Sequence, residues 1–176
     1  LKVMVDRIFG YNNFRNDISW CYSRWSNVSK MFQRTHDNIL FYAKDSGSSV
    51  FHEIRLPLES PRKRNLVALV DGKKVSARDG EGNVIYKEQS SKPLDDWWVL
   101  DKVPNKGGER VGFPTQKTLA LLERIIKASS NEGDIVLDCF MGSGTTCLAA
   151  AKLNRRYIGI DLSPVAVRLV EARIKE

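Results

Sequence analysis

The chain has 176 residues, 42% of them hydrophobic and 28% charged, which suits one compact unit and excludes wholesale disorder. Three cysteines without a C-x-x-C pair, beside only two histidines, exclude a disulfide framework or zinc cluster and lead us to expect a reducing, cytoplasmic setting. The formal charge of +7 permits attraction to polyanions, and most of it lies in residues 1–110, with 19 basic against 14 acidic side chains.

The first residues, LKVMVDRIFG, carry charges among their apolar positions and have no apolar core of a secretion signal. Leu1, Val5, Ile8 and Phe9 fall on one face at helical spacing, and Gly10 with Asn12-Asn13 ends the pattern. A chain that enters in mid-helix without Met is expected to lack an N-terminal part. NDISWCYSRW (16–25) alternates large and small residues and predicts a strand with one buried face. A polar connection (26–37) follows, and NILFYAK (38–44), a continuous apolar run, predicts an interior strand antiparallel to the first. No uncharged apolar run in the chain reaches the roughly 18 residues of a membrane span.

The character changes over 45–106. DSGSS (45–49) breaks the pattern, and SPRKRN (60–65) places three cations in a row. LVALV, an Asp71-Gly72 turn, KKVSAR, a DGEGN turn and VIYKE then predict a small β-meander. A Ser/Lys/Pro link (90–93) leads to DDWWVLDKVP. This stretch reads as an inserted subdomain between residues 1–44 and 107–176.

The last third alternates helix and strand. FPTQKTLALLERIIKASS predicts a helix starting at its Pro-Thr step, with Leu119, Leu122, Ile125 and Ile126 on one stripe. DIVLDCF (134–140) is a buried strand, MGSG a tight turn, and TTCLAAAKL a helix. RRYIGIDLS (155–163) is a second strand, and PVAVRLVEARIK a helix with Pro164 in its first turn. Short loops between these elements imply a parallel sheet with right-handed crossovers.

Asp138, Gly142, Gly144 and Asp161 are the strongest constellation. Glycines at the end of a buried strand let the backbone approach a ligand, and the next helix offers free N–H groups. Asp161, at the end of the following strand, is placed to accept both hydroxyls of a ribose. G-x-G-x-x-G fails at Cys147, which disfavours a dinucleotide, and no P-loop is present. Asp138 would repel a pyrophosphate yet suits an ammonium. S-adenosylmethionine combines that ammonium with a ribose, whereas the plain alternative is a glycine turn with a capping aspartate. Arg24, Lys30 and Arg34, interleaved with Trp25 and Phe32, are candidates for phosphate or base contacts or else a solvated loop. Arg62, Lys63 and Arg64 read the same way, as a DNA contact or a solvated turn. Trp97 and Trp98 read as hinge packing ahead of base stacking, and His36 and His52 as structural.

DCFMGSGTT (138–146), preceded by GFPTQKTLALLERII (112–126) and followed by IGIDLSPVA (158–166), resembles the β-class amino-group DNA methyltransferases of bacterial restriction–modification systems. LKVMVDRIFGYNNFRNDISWCY and DNILFYAK resemble the helix and strand pair after that family's catalytic loop. The resemblance implies a partial Rossmann-like α/β methyltransferase sheet with a small β-rich insertion. Residues 1–44 would belong to the target-base half, 45–106 to a target-recognition region and 107–176 to the cofactor half. It implies S-adenosylmethionine as cofactor and double-stranded DNA as partner. A second copy or a restriction subunit remain open as protein partners, and no membrane is involved. Thr115, Gln116 and Lys117 would hold the cofactor's carboxylate end. Asp138, Phe140, Gly142, Gly144 and Thr145 would line its pocket, and Asp161 would take the ribose.

Two departures stand beside the pocket, Cys139 for the family's usual Pro and Met141 for a frequent Cys. A larger one is an absence: the family's Asp/Asn/Ser-Pro-Pro-aromatic loop has no counterpart, because the six prolines include no adjacent pair. No catalytic residue is therefore nominated, nor any metal ligand. The expected reaction is methyl transfer to an exocyclic amine of a flipped base, adenine N6 ahead of cytosine N4. The rivals are a non-catalytic cofactor- or DNA-binding remnant and a methyltransferase for RNA or a small molecule.

Overall fold

The computed structural model describes residues 1–24, 30–104 and 107–175 and divides into two units, Leu1–His52 with Asp95–Glu176 and, apart from these, Glu53–Leu94. Helix α1 (Lys2–Phe9) is as the periodicity predicts, and Gly10 ends it at φ +88°, a conformation open mainly to glycine. Asp6 accepts hydrogen bonds from Lys2 Nζ (2.9 Å) and from the Tyr42 hydroxyl (2.7 Å), which ties the helix to the sheet. Its apolar face is only partly covered: no α1 residue is fully buried, Val5 is half-buried, and Leu1 and Ile8 are exposed.

Strand β1 (Phe14–Cys21) pairs antiparallel with β2 (His36–Tyr42), so the predicted hairpin forms. Its first strand ends at Cys21, four residues earlier than expected. Trp25 and the end of the predicted 45–106 insertion at Lys106 lie outside the described residues. NILFYAK was expected in a sheet interior, and this is corrected: β2 is an edge of its three-stranded sheet, with Trp97–Val99 on the other side of β1. Its continuous apolar run is explained by aromatic neighbours instead. Phe41 stacks on Phe51 at 6.2 Å, and Tyr42 lies 5.3 Å from Phe14 and 5.8 Å from Phe9. Ile18, Trp20, Tyr22 and Trp98 form the buried centre here, and the Trp20 indole donates to Leu100 O at 2.7 Å.

The second unit contains β3 (Arg55–Asn65), β4 (Val67–Val70), β5 (Lys73–Ser76) and β6 (Tyr86–Pro93). β4 and β5 make a hairpin around Asp71 (φ +49°) and Gly72 (φ +74°), two positive φ values as a type I′ turn requires. β3 and β6 pair antiparallel on either side of this hairpin in sequence. Three expectations are corrected. SPRKRN is part of the eleven-residue strand β3, not a turn, and the 90–93 link is part of β6. The expected β-meander is instead two separate ribbons, because β6 pairs with β3 rather than with β5, beside one isolated bridge between Arg78 and Val84. The register breaks between Pro57 and Arg62, which accommodates Pro61 where no ladder donor is needed.

Strand β7 (Trp97–Val99) returns the chain to the first unit. It buries Trp98, whose indole donates to Asp95 O at 2.8 Å, and leaves Trp97 exposed. Helix α2 (Leu119–Ser129) starts five residues later than the Pro-Thr step predicts. The reason is a distant cap: the Glu109 carboxylate accepts the Leu119 N–H at 2.6 Å. Strand β8 (Ile135–Asp138), helix α3 (Thr145–Lys152), strand β9 (Arg156–Gly159) and helix α4 (Pro164–Lys175) follow in the predicted order. β8 and β9 are parallel, as short α/β connections require. Ala149 and Ala150 of α3 let α2 approach closely, and Ile126, Val136 and Leu153 fill that core. Among the described residues no helix is long and apolar enough to cross a membrane.

The buried strand expected over 134–140 is corrected: β8 ends at Asp138 and none of its residues is buried. Parallel pairs are normally covered on both faces, yet Leu137 and Ile158, adjacent in register, are 57% and 49% exposed. Such a bare apolar patch binds amphipathic dyes. Native residues 1–176 are expected to enhance anilinonaphthalene sulfonate fluorescence, and Leu137→Lys with Ile158→Lys to reduce the enhancement without lowering the melting temperature. Unchanged emission from the double variant would place the dye elsewhere.

Candidate functional site

β8 ends at Asp138 and β9 at Gly159, and the ladder runs on beyond them. Ile160 N–H donates to Asp138 O at 2.8 Å, and Met141 N–H donates to Ile160 O at 3.0 Å. This places Asp138 and Asp161 at the carboxyl ends of adjacent parallel strands, where open α/β sheets bind their ligands. Asp138 Oδ1 accepts the Phe140 N–H (3.0 Å), and Oδ2 accepts the Thr146 hydroxyl (2.6 Å). Asp161 Oδ2 accepts the Gly142 N–H (2.8 Å), and Oδ1 accepts the Ser163 N–H (2.8 Å). The Ser163 and then the Gly142 amides hold the Asp161 carboxyl below the ordinary carboxylate range. Asp138 takes one donor on each oxygen, Asp161 takes the Leu162 amide in addition to its two, and both carboxylates keep lone-pair capacity for a ligand. Two carboxylates at one turn favour ligands that donate hydrogen bonds, such as hydroxyls or an ammonium, and repel polyphosphates.

The turn itself is built by packing. Gly142 has φ +49° and Gly144 φ +72°, both in the left-handed region. A Cβ on Gly142 would lie 3.1 Å from Phe113 Cε1, and one on Gly144 would run into the Val170 side chain of α4. Arg173, one turn further along α4, donates from Nη1 to Ser143 O at 2.5 Å. The Ser143 and Thr145 hydroxyls meet at 3.1 Å, both buried. Cys147 sits where a dinucleotide fingerprint has its third glycine, the one that lets helix and strand approach. Here the space comes from the facing strand: a Cβ on Gly159 would stand 2.8 Å from Cys147 Sγ and collide with Met141. Met141, Cys147 and Val170 form one buried cluster, and burial, with Asp138 nearby, raises the Cys147 thiol. Cys139 is exposed.

Thr115, Gln116 and Lys117 were expected on a helix and are found in the loop before α2. The Gln116 amide is taken up by that loop, donating to Glu109 O at 2.6 Å and accepting the Val111 N–H at 3.0 Å. Lys117 Nζ donates to Thr115 O at 3.2 Å and is exposed. Phe140 is 90% exposed and Leu162 fully so, leaving apolar surface beside the carboxylates. Sequence reasoning missed Ser163, Thr146, Glu109 and Arg173, which hold the loops in shape. Only the S-P step after Asp161 signals one of them.

The basic candidates are on two elements. Arg24, Lys30 and Arg34 are exposed on irregular chain, with Phe32 fully exposed among them, and the Arg24 carbonyl accepts Gln33 Nε2 at 2.6 Å. Arg62, Lys63 and Arg64 lie on β3, so successive side chains point to opposite faces. His52 Nε2 meets Asn131 Oδ1 at 2.9 Å, a structural link.

A family model described as DNA methylase (N6_N4_Mtase) matches residues 1–172. The type II methyltransferase M.HpaI of Haemophilus parainfluenzae is 32% identical over 163 residues, which are 92% of this chain and 45% of that protein. The DNA adenine methyltransferase YhdJ of Escherichia coli (strain K12) is 33% identical over 156 residues, 88% of this chain and 50% of that one. The chain thus spans about half the length of these relatives. The crystal structure of the M1.HpyAVI-SAM complex superposes with a TM-score of 0.65 at 24% identity, over 99% of this chain and 70% of that one.

Proposed function

The chain belongs to the N6/N4 DNA methylase family, and from that premise we propose that residues 1–176 hold S-adenosylmethionine for methyl transfer to an exocyclic amine of duplex DNA. The fold is the Rossmann-like α/β fold of S-adenosylmethionine-dependent methyltransferases. One observation carries the proposal: Asp138 and Asp161 are held at one glycine turn, each with lone pairs to spare. Asp161 would accept the ribose hydroxyls and Asp138 the ammonium. Phe140, Gly142, Gly144 and Thr145 would line the pocket, and Lys117 with Thr115 would face the carboxylate end. Gln116 would act by shaping that loop, since its amide is already engaged. The bound cofactor supplies an electrophilic methyl group on a sulfonium. The chain's own residues orient it and exclude competing poses. Arg24, Lys30, Arg34, Arg62 and Arg64 would supply contacts to DNA, whereas Lys63 stands opposite the acid Glu88 on the β3–β6 ladder and is left out of that set. The name of the Escherichia coli relative supports adenine N6 ahead of cytosine N4.

The reading also assigns no catalytic group to residues 1–176. In this family the amine is hydrogen-bonded by an Asp/Asn/Ser-Pro-Pro-aromatic loop, and these residues contain no Pro-Pro pair. Without it the amine's lone pair stays delocalised into the base, and a flipped base has no aromatic platform. Purified residues 1–176 are expected to bind cofactor in a calorimeter yet transfer no labelled methyl to DNA. A polypeptide extended to include such a loop is expected to transfer it. Absence of binding heat would overturn the cofactor reading, and robust transfer by residues 1–176 would overturn the missing-group reading.

A further inference from the structure

We propose that a groove of about 700 Å³ in the Glu53–Leu94 unit clasps the sugar–phosphate backbone of duplex DNA through Arg64, Lys74 and Lys87, and that Lys63 takes no part. The proposal rests on the reading that this chain acts on DNA, and it changes which cations do the work. β3 and β6 place Arg64 directly opposite Lys87, and Lys63 directly opposite Glu88. Directly opposed residues of an antiparallel pair share a face, so the three consecutive cations of the sequence are divided between two faces. Lys63 faces an acid. Arg64 faces another cation, an arrangement that destabilises a ribbon unless an anion lies between them.

Lys74, on the neighbouring hairpin, lines the same groove, with Leu66 and Val67 between the two ribbons. Glu88, which Lys63 opposes, also lines the groove, so the groove is not confined to one face of the ladder, but Lys63 itself does not line it. Among the described residues Glu88 is the groove's one acid, and no ion pair neutralises Arg64, Lys74 or Lys87. Arg55 also lines the groove but is already committed. It donates to Ser91 Oγ (3.0 Å) and Ser91 O (2.9 Å) and pairs with Glu53. The groove therefore has one anchored arginine in its wall and three uncompensated cations carried on three strands. A spread of positive charge over separate strands matches a repeating phosphodiester, where a single phosphate would leave most of it unpaired. Lys74 and Lys87 gave no signal in the sequence: the β3–β6 register brings Lys87 to Arg64, and Lys74 joins them only through the groove that the β4–β5 hairpin also lines.

The test measures anisotropy of a labelled duplex against salt concentration, using the full chain. Each lost phosphate contact reduces the slope of log affinity against log salt by about 0.9. Arg64→Ala, Lys74→Ala and Lys87→Ala together are expected to reduce it by about two to three, and Lys63→Ala to leave it unchanged. All four side chains are exposed, and an unchanged far-ultraviolet circular dichroism spectrum and thermal melt check that the triple variant is folded. Wild-type binding with an unchanged slope in the triple variant overturns the groove alone. So does an effect of Lys63→Ala equal to that of the other single variants. Equal losses on single-stranded RNA of the same length overturn the assignment to duplex DNA. Wild-type chain that shows no salt-dependent duplex binding overturns the DNA reading and the groove together.

Discussion

Gly144→Ala is expected to lower the melting temperature of the chain by about 5–15 °C, which is roughly 2–4 kcal/mol for a protein of this size. Two costs combine. An alanine at φ +72° meets the left-handed penalty, on the order of 1–2 kcal/mol. Its Cβ must also share space with the buried Val170, whose Cγ1 would stand only 2.9 Å away. Backbone cannot yield there, because Gly144 N–H donates to Met141 O at 2.7 Å and Arg173 holds the adjacent Ser143 carbonyl. Overpacking of this kind costs about 1–3 kcal/mol. Val170→Ala removes the colliding methyls, so the double variant should recover the packing part and leave the conformational part. A double-mutant cycle is expected to return a coupling of about 1–2 kcal/mol between the two positions. Additive effects would show that the turn avoids α4 by another route.

The same region shows why the C-terminal third was readable from sequence. β8, the glycine turn, α3, β9 and α4 are each set by signals within a few residues: an apolar run, a left-handed glycine, a proline in a first turn. Asp138 and Asp161 could be paired because short connections make β8 and β9 parallel neighbours, so two strand-end acids must converge. What the pattern could not reveal was the partner of each oxygen. That Asp161 holds the Gly142 amide, nineteen residues back along the chain, depends on how the turn after β8 folds against the end of β9.

Elsewhere the decisive contacts are distant, and local pattern fails. β3 has almost every side chain exposed and two prolines, so no alternation marks it as a strand. It exists because β6 supplies a ladder partner more than twenty residues on. α2 begins at Leu119 because an acid ten residues upstream caps it, which no helix-start rule at Pro114 anticipates. NILFYAK reads as interior because its aromatic run is real. The rings meet α1 and Phe51 at the edge of the sheet, where a second flanking strand was expected. In Cys147 the sequence correctly argues against a dinucleotide, yet the room for helix–strand approach lies in Gly159, a residue to which the motif gives no role.

Asp161→Ala is expected to weaken binding of S-adenosylhomocysteine by about tenfold to a hundredfold, the usual loss for hydrogen bonds to a charged acceptor. The carboxylate acts at two ends. Its Oδ2 holds the Gly142 amide and its Oδ1 the Ser163 amide, while the remaining lone pairs are those proposed for the ribose. Asp161→Asn separates these roles, because an amide keeps the shape but turns one acceptor oxygen into a donor facing a backbone N–H. It should retain more affinity than the alanine variant and still loosen the glycine turn. The pH dependence follows from the same two amides, which depress the carboxyl below its ordinary range. Binding senses the free folded protein, in which the Asp161 carboxyl stays ionised until the pH falls through that depressed value and protonation removes the acceptor. Affinity should therefore be level from neutral pH down to the ordinary carboxylate range and fall only below it. In Asp161→Asn that acid limb should disappear wherever the fold survives. Equal affinity of wild type and Asp161→Ala would remove Asp161 from the ribose site. An acid limb that persists in Asp161→Asn would transfer the titration to another group, with Asp138 the first to examine.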